Sequence, residues 1–460
     1  MSRSAHAAFL LASALATGIA LIHAAETEAR PIVVKNQGFL PFADAPINYR
    51  SADVDDPIAR LEKQLESGEI SLRYEPQHGY LRSVLQALKV PVDSQTLVFS
   101  KTSFQYPQIN PAAPRALYFN DDIYVGQVQN GKFLEFVSFD PRQGPIFYVI
   151  DERESDHPRF ERSATDCVQC HVAKSTRGVP GVMLRSVFAK PDGQIAAGSK
   201  SFVTGHESPF AERWGGWYVT SAQGATSGIS NAAVSGLEQP EQISKLPIKF
   251  DPKAYLTGSS DLVALVVLAH QTQMHNFITQ TNYKTRLALF ADQKNRPEGV
   301  APTEISEKAR KQFEAPAEDL VRYLLFADEA RPDSSIVGDT SFAKEFAARG
   351  PFDARGRSLR QFDLKTRIFR YPCSYLIYSE SFDAIPAPAK EYIFRRLFEV
   401  LSGKDQSPAF QSLSQEDRRA VLEILAETKP NLPPEWKQFV EQTKASATKR
   451  ATDGALNRQP

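Results

Sequence analysis

Hydrophobic positions along the chain change period twice. Asp56 to Glu66 carries a helical stripe of Ile58, Leu61 and Leu65, and Gly79 to Leu88 repeats it with Leu81, Val84, Leu85 and Leu88. Apolar residues three and four apart line one helix face, so two short helices are expected. From Thr96 to Ile150 the period becomes two. Leu97 to Phe99 opens a strand; Ile123–Val128 and Phe133–Phe139 flank Asn130-Gly131, which suits the left-handed φ of a tight hairpin turn. Asp140 to Pro145 turns the chain again, and Ile146 to Ile150 is a third strand. Val182 to Phe188 and Ile195 to Val203 read as strands around the turn Pro191-Asp192-Gly193. A Gly/Ser/Ala/Gln stretch from Ser221 to Gly236 reads as a flexible or extended loop.

The second half returns to helical spacing. Leu262 to Ala269 is apolar all round, which predicts a buried helix within Asp261–Leu289 rather than a surface one. Thr303 to Phe326 is amphipathic around Pro316; Ala387 to Leu401 has one apolar stripe and stops before Gly403. Ser414 to Asp417 is a capping-box start for the helix bearing Val421, Leu422 and Leu425. The expected fold is therefore α+β, a β-rich region followed by a mainly α-helical C-terminal half. The expected segments are 26–95, helical and extended; 96–236, β-rich; 237–442, mainly helical; and 443–460, a polar, disordered tail.

Ala7 to Ile22 fits neither period. It is a short apolar run after Arg3, followed by small residues at Ala24 and Ala25. That pattern reads as a secretory signal peptide over residues 1–25. Ile22 or His23 sits where a small residue is preferred, so an uncleaved anchor stays open. No other stretch approaches membrane-spanning length. Formal net charge is zero, with 54 basic and 54 acidic residues, which argues against nucleic acid as a partner. With 3 Cys in the chain, two of them spoken for below, Cys373 reads as a small buried apolar residue.

The chemistry concentrates at Cys167-Val168-Gln169-Cys170-His171. C-x-x-C-H is the attachment signature of a c-type haem. Two thiols three positions apart can add to the two vinyl groups of one porphyrin, and the adjacent imidazole can ligate the iron. With 3 Cys and 8 His in 460 positions, chance would produce such a pentapeptide roughly 3 × 10⁻⁴ times, taking each residue's frequency independently. A zinc site would need two further ligands at similar spacing, and no second Cys pair exists. A thioredoxin-like dithiol would need no following His. One covalent haem c is expected, with Cys167 and Cys170 as attachment points and His171 as the proximal ligand. Export fits it, since c-type haems are attached outside the cytoplasm. The motif sits deep in a β-rich region on a short helix, so the small all-α cytochrome c fold is not expected.

The distal side decides what such a haem does. Four residues are candidate distal ligands or acid–base groups: His206, on a loop after the returning strand, and His270, Met274 and His275 on the buried helix. His270 and His275 are about 140° apart around a helix, so both cannot face one iron. Met183 follows His171 too closely, across the rigid Gly178-Val179-Pro180-Gly181, to reach the opposite face. Trp214-Gly215-Gly216-Trp217-Tyr218 reads either as a pocket wall or as core aromatics around a turn.

Several stretches together resemble large, mostly uncharacterised single-haem c-type cytochrome-domain proteins exported by bacteria. They are Cys167 to Val187 with its Gly-Val-Pro-Gly, Arg213 to Thr220, His270 to Asn276, Tyr375 to Pro386, and Asp417 to Pro430. The resemblance implies a haem-binding, cytochrome-c-like protein without a particular substrate. The family pattern carries a histidine after Trp-Gly-Gly-Trp-Tyr-Val-Thr; here Ser221 to Ser227 has none, which removes one haem ligand or pocket base. Three functions follow for a periplasmic protein. The first is one-electron transfer to a redox partner protein. The second is haem oxidoreductase chemistry of peroxidase or oxygenase type on a small-molecule oxidant, with an open or displaceable distal site. The third is a non-catalytic redox or gas sensor.

Overall fold

Alternating apolar and polar positions fold into an antiparallel meander. The computed structural model describes residues 39–443 and 445, apart from 222–223, 236–241, 298, 300 and 302–303. The expected signal peptide at 1–25 and nearly all of the 443–460 tail lie outside the described residues. The described residues belong to a compact unit that begins at Phe39.

Two short helices come first, α1 (Pro57–Glu66) and α2 (Leu81–Ala87). The Asp56 carboxylate starts α1 by accepting the Ile58 and Ala59 N–H groups. The meander is β1 (Thr96–Val98), β2 (Arg115–Phe119), β3 (Ile123–Gln127), β4 (Phe133–Asp140), β5 (Gly144–Asp151) and the short β6 (Glu161–Arg162). Asn130 takes φ 56° at the β3–β4 turn. At the β4–β5 turn the Asp140 carboxylate accepts the Arg142 and Gln143 N–H groups at 2.8 and 2.6 Å. Helix α3 (Asp166–His171) follows, then the two-stranded β7 (Arg185–Val187) and β8 (Ser201–Val203). Strand β9 (Trp217–Tyr218) returns to pair with β1, giving the sheet order β6-β5-β4-β3-β2-β1-β9.

Two of these strands carry no legible period. The segment Arg115–Phe119 lies between proline-rich and Asn/Asp turns, and Trp217–Tyr218 is too short for alternation; the first is a strand because β1 and β3 flank it, the second because β1 offers it an edge. The stretch expected as a loop from Ser221 to Gly236 also differs. It contains β10 (Ala232–Val234), paired with β11 (Ile243–Lys245). The reason is tertiary: the Asn231 amide bonds both the N–H and the carbonyl of Val219, tying this segment to the chain after β9. Trp214 and Trp217 are core aromatics, their indole N–H groups donating to the Thr226 and Arg185 carbonyls.

The C-terminal half is helical: α4 (Leu262–Lys294), α5 (Glu307–Leu324), α6 (Phe342–Ala348), α7 (Glu380–Asp383), α8 (Ala387–Leu401) and α9 (Gln415–Thr428), with further helical residues at 434–443. Ser414 and Asp417 form the expected capping box on α9, while Pro316 is carried inside α5. The antiparallel sheet and this helical half make the chain α+β, which removes an all-α fold. Among the described residues no helix is long and apolar enough to cross a membrane.

Strand register sorts side chains onto two faces. Arg115, Leu117, Phe119, Tyr124, Gly126, Glu135, Val137, Phe139, Phe147 and Val149 share one face. Tyr118, Val125, Phe136, Ile146 and Tyr148 share the other, and pack in one core with Ile58, Leu61, Leu81 and Val84 of α1 and α2. Phe119, Tyr124 and Phe139 join the core built around α4 and α5. Every residue of α4 from Leu262 to Thr279 is buried. Burying each Val or Leu contributes roughly 1.5–3 kcal/mol, so the run Leu262–Leu268 holds α4 in the centre. That placement brings His275 against Phe139 of the sheet and Asn276 against the chain that follows α3.

Candidate functional site

Cys167 and Cys170 lie three apart on α3, so their side chains share one helix face. Val168, between them, is buried in the core that also holds Phe147. Both thiols are free; Cys167 is half-buried and Cys170 exposed. Burial pushes the Cys167 thiol pKa up.

After α3 the chain folds straight back. The Thr176 hydroxyl accepts the Ala173 N–H at 2.9 Å and donates to the Val179 carbonyl at 2.8 Å, and Arg177 and Gly178 take positive φ. The return sets Gly181 beside His171. The Gly181 N–H donates to the His171 carbonyl at 2.9 Å, and the Gly181 carbonyl lies 2.8 Å from His171 Nδ1. A carbonyl only accepts, so Nδ1 carries the proton and Nε2 the lone pair. No hydrogen bond occupies Nε2 among the described residues. The ring is held against Phe147 of β5, centroids 4.7 Å apart.

Gly181 has no room for a side chain: a Cβ there would lie 2.4 Å from Asn276 Oδ1 and 2.6 Å from Thr176 Cβ. Asn276 of α4 fixes the next residue, donating to the Val182 carbonyl at 2.7 Å and accepting its N–H at 2.9 Å. A chain of contacts therefore runs from the centre of α4 through Val182 and Gly181 to the His171 imidazole. Metal-bound histidines are commonly oriented by a carbonyl on the second ring nitrogen. Burial lowers the His171 pKa, partly offset by the Gly181 bond; Arg115 lowers it further and Glu135 raises it.

Compared with known proteins, the chain matches no family model, no curated protein and no solved structure.

The candidate distal residues sit in the core with partners of their own. His206 and His270 face each other, Nδ1 to Nδ1, at 2.8 Å, and His270 Nε2 lies 2.8 Å from the Ser374 hydroxyl. Tyr323 stacks on His206 at 3.9 Å, and Phe326 stacks on both rings at 4.5 Å. Burial drives His206 well below its ordinary pKa and His270 down to about 3, so the pair is neutral and shares one bridging proton. His275 turns to the sheet instead. Its Nε2 donates to the Asp121 carbonyl at 2.9 Å and its ring stacks on Phe139 at 3.7 Å, with burial holding its pKa at about 4. Met274 is fully buried in the same core. His270 and His275 thus face different elements, as their helix spacing requires. Of the four candidates, His275 shares a sheet face with His171, resting on Phe139 of β4 where His171 rests on Phe147 of β5.

Cys167, Cys170 and His171 can hold a haem: two accessible thiols on one helix face and an oriented imidazole with an open Nε2. Among the described residues no group of three or more His, Cys, Asp or Glu is arranged to hold a metal ion. A zinc ion at Cys167 and Cys170 would need its remaining ligands from such a group, whereas porphyrin brings four nitrogens itself. Three contributors are invisible to motif reading: Asn276 as clamp, Phe147 as ring support, and the Arg115–Glu135 ion pair on the sheet. Gly126, an isolated glycine inside an alternating strand, was the available signal for the last, because such glycines mark a close approach.

Proposed function

We propose that the protein is a c-type cytochrome-like protein, holding one haem covalently through Cys167 and Cys170 with His171 as the iron's protein ligand, and that it passes single electrons in the periplasm. The observation that carries the reading is the His171 Nδ1–Gly181 carbonyl bond of 2.8 Å, which leaves Nε2 unprotonated and unbonded beside two free thiols. The bound group would supply a one-electron ferric–ferrous couple. The chain's part is to fix the imidazole's tautomer and angle through Gly181 and Phe147, and to tether the group at the exposed Cys170, close to a surface a redox partner protein can reach. Sequence supports the setting: the 1–25 segment reads as an export signal, zero net charge disfavours nucleic acid, and the motifs resemble exported single-haem cytochrome-domain proteins.

A second reading, oxidoreductase chemistry at an accessible iron with a small-molecule oxidant, draws on one observation. His206, His270, His275 and Met274 are all buried in the core; His270 is bonded through both ring nitrogens, and His206 and His275 through one each. A haem sensor would draw on the same feature.

The test is expression with a cytochrome c maturation system. A haem-staining band and a mass increase of one haem are expected, lost when both cysteines become alanine. Colourless secreted protein refutes the proposal. Carbon monoxide added to the reduced protein then separates the two readings: an unchanged spectrum fits a six-coordinate electron carrier, a prompt shift an accessible iron.

A further inference from the structure

We propose that the Arg115–Glu135 ion pair is the charged wall against which the haem group lies, and that it sets the iron's reduction potential; this rests on the haem reading above. Arg115 of β2 and Glu135 of β4 pair across β3, on the sheet face that carries Phe147, the ring supporting His171. Gly126 lies between them, and a Cβ there would meet the guanidinium at Nε and Cζ 2.8 and 2.9 Å away. The missing side chain is what lets the guanidinium lie flat on the sheet.

The pair is built rather than incidental. Glu135 is pinned from the adjoining loop by the Ser103 hydroxyl at 3.0 Å and the Gln105 amide at 3.1 Å. Gln105 is itself anchored to the Phe133 carbonyl and the Lys132 N–H. Among the described residues one buried donor of Arg115, Nε, has no hydrogen-bond partner. Beside the pair the loop leaves two large rings bare, Phe104 at 78% exposure and Tyr106 at 56%. A fixed ion pair, an orphaned donor, bare rings and an open imidazole nitrogen offer one flat amphipathic ligand both apolar and charged contacts. On that face Glu135 sits opposite Val149, two residues along β5 from Phe147, so the pair lies one step along the sheet from the ring that supports His171. Charge beside a haem is one of the protein's levers on its potential.

The sign follows from electrostatics. Ferric iron carries one more positive charge than ferrous, so a nearby cation disfavours it and a nearby anion favours it. Spectroelectrochemical titration of the haem-loaded protein tests this. Arg115→Gln should shift the equilibrium toward ferric, and Glu135→Gln toward ferrous. Each shift should be threefold or more, where tenfold corresponds to ~59 mV for one electron. Arg115→Lys should stay close to wild type, because it keeps the charge, and the double glutamine variant should fall between the single ones. Potentials that do not move, or that move the same way in both single variants, overturn the proposal, since a loosened fold would act in one direction. Wild-type protein without covalent haem, seen by haem stain before any titration, sinks the parent reading and this one with it.

Discussion

Replacing Asn276 with leucine tests whether α4 positions the histidine of the motif. Leucine keeps asparagine's branch at Cγ but is bulkier, so some overpacking adds to the cost. The change that the prediction turns on is in hydrogen bonding. Asn276 is fully buried, donates to the Val182 carbonyl at 2.7 Å and accepts the Val182 N–H at 2.9 Å. Asn276→Leu leaves both backbone groups buried without partners. Each orphaned group costs about 1–3 kcal/mol, for a total of roughly 2–6 kcal/mol. Against an ordinary stability of about 5–15 kcal/mol that is a large fraction. The assay is urea denaturation of wild type, Asn276→Leu and a control, Gln280→Ala. Gln280 lies one turn further along α4 and donates a single, partly buried bond to the Arg177 carbonyl at 2.9 Å, so its loss should cost about 1 kcal/mol. Because Val182 follows Gly181, the carbonyl on His171 Nδ1 should loosen too. If the protein carries the haem proposed above, Asn276→Leu should keep it covalently attached but show an altered Soret band. Equal denaturation midpoints for Asn276→Leu and Gln280→Ala, with an unchanged spectrum, would refute the reasoning.

Two further predictions concern the same core. Gly181→Ala places a methyl group 2.4 Å from Asn276 Oδ1, so something must shift; overpacking of this kind costs roughly 1–3 kcal/mol, read as a lower denaturation midpoint. The second concerns acid. His275 is held at about 4 by burial, below the unfolded value of 6.5, so between those values the unfolded chain binds the extra proton. Its contribution is complete above about pH 6.5 and is lost as pH falls toward 4, by about 1.4 kcal/mol per pH unit. Asp122, Glu152 and Glu329, raised by burial to about 7, act in the opposite sense over the same range. The effect is therefore read as a difference. From pH 6 to pH 4.5 wild type should lose more stability than His275→Gln, with the slopes differing by about 1.4 kcal/mol per unit. Parallel slopes would mean that His275 is not buried neutral.

Local pattern carried much of the fold. The buried character of α4, the capping box at Ser414, the hairpin at Asn130-Gly131 and the strand periods of β3, β4 and β5 depend on residues within a few positions of one another. The strands β2, β9 and β10 do not. Arg115–Phe119 is a strand because β1 and β3 flank it, Trp217–Tyr218 because β1 presents an edge, and Ala232–Val234 because Asn231 is tied to Val219 and β11 pairs with it. The candidate site divides in the same way. Cys167, Cys170 and His171 fall within five consecutive residues, and their spacing on one helical turn is legible without the fold. The supports of His171 come from residues 10 and 24 positions away, Gly181 and Phe147, and no spacing rule connects them.

What the sequence alone determined, then, is local: an α+β chain, and a thiol–thiol–imidazole pattern within five consecutive residues. Only the tertiary structure decided which way the imidazole's proton points, because a neutral ring takes its tautomer from whichever acceptor the fold brings to it. It likewise decided that His206, His270 and His275 find partners in the core, and that Arg115 and Glu135 meet across Gly126. Those outcomes depend on strand register and on the placing of α4 beneath the sheet. Register and placement are set by the burial of whole faces, a sum over many distant residues that no short stretch of sequence contains.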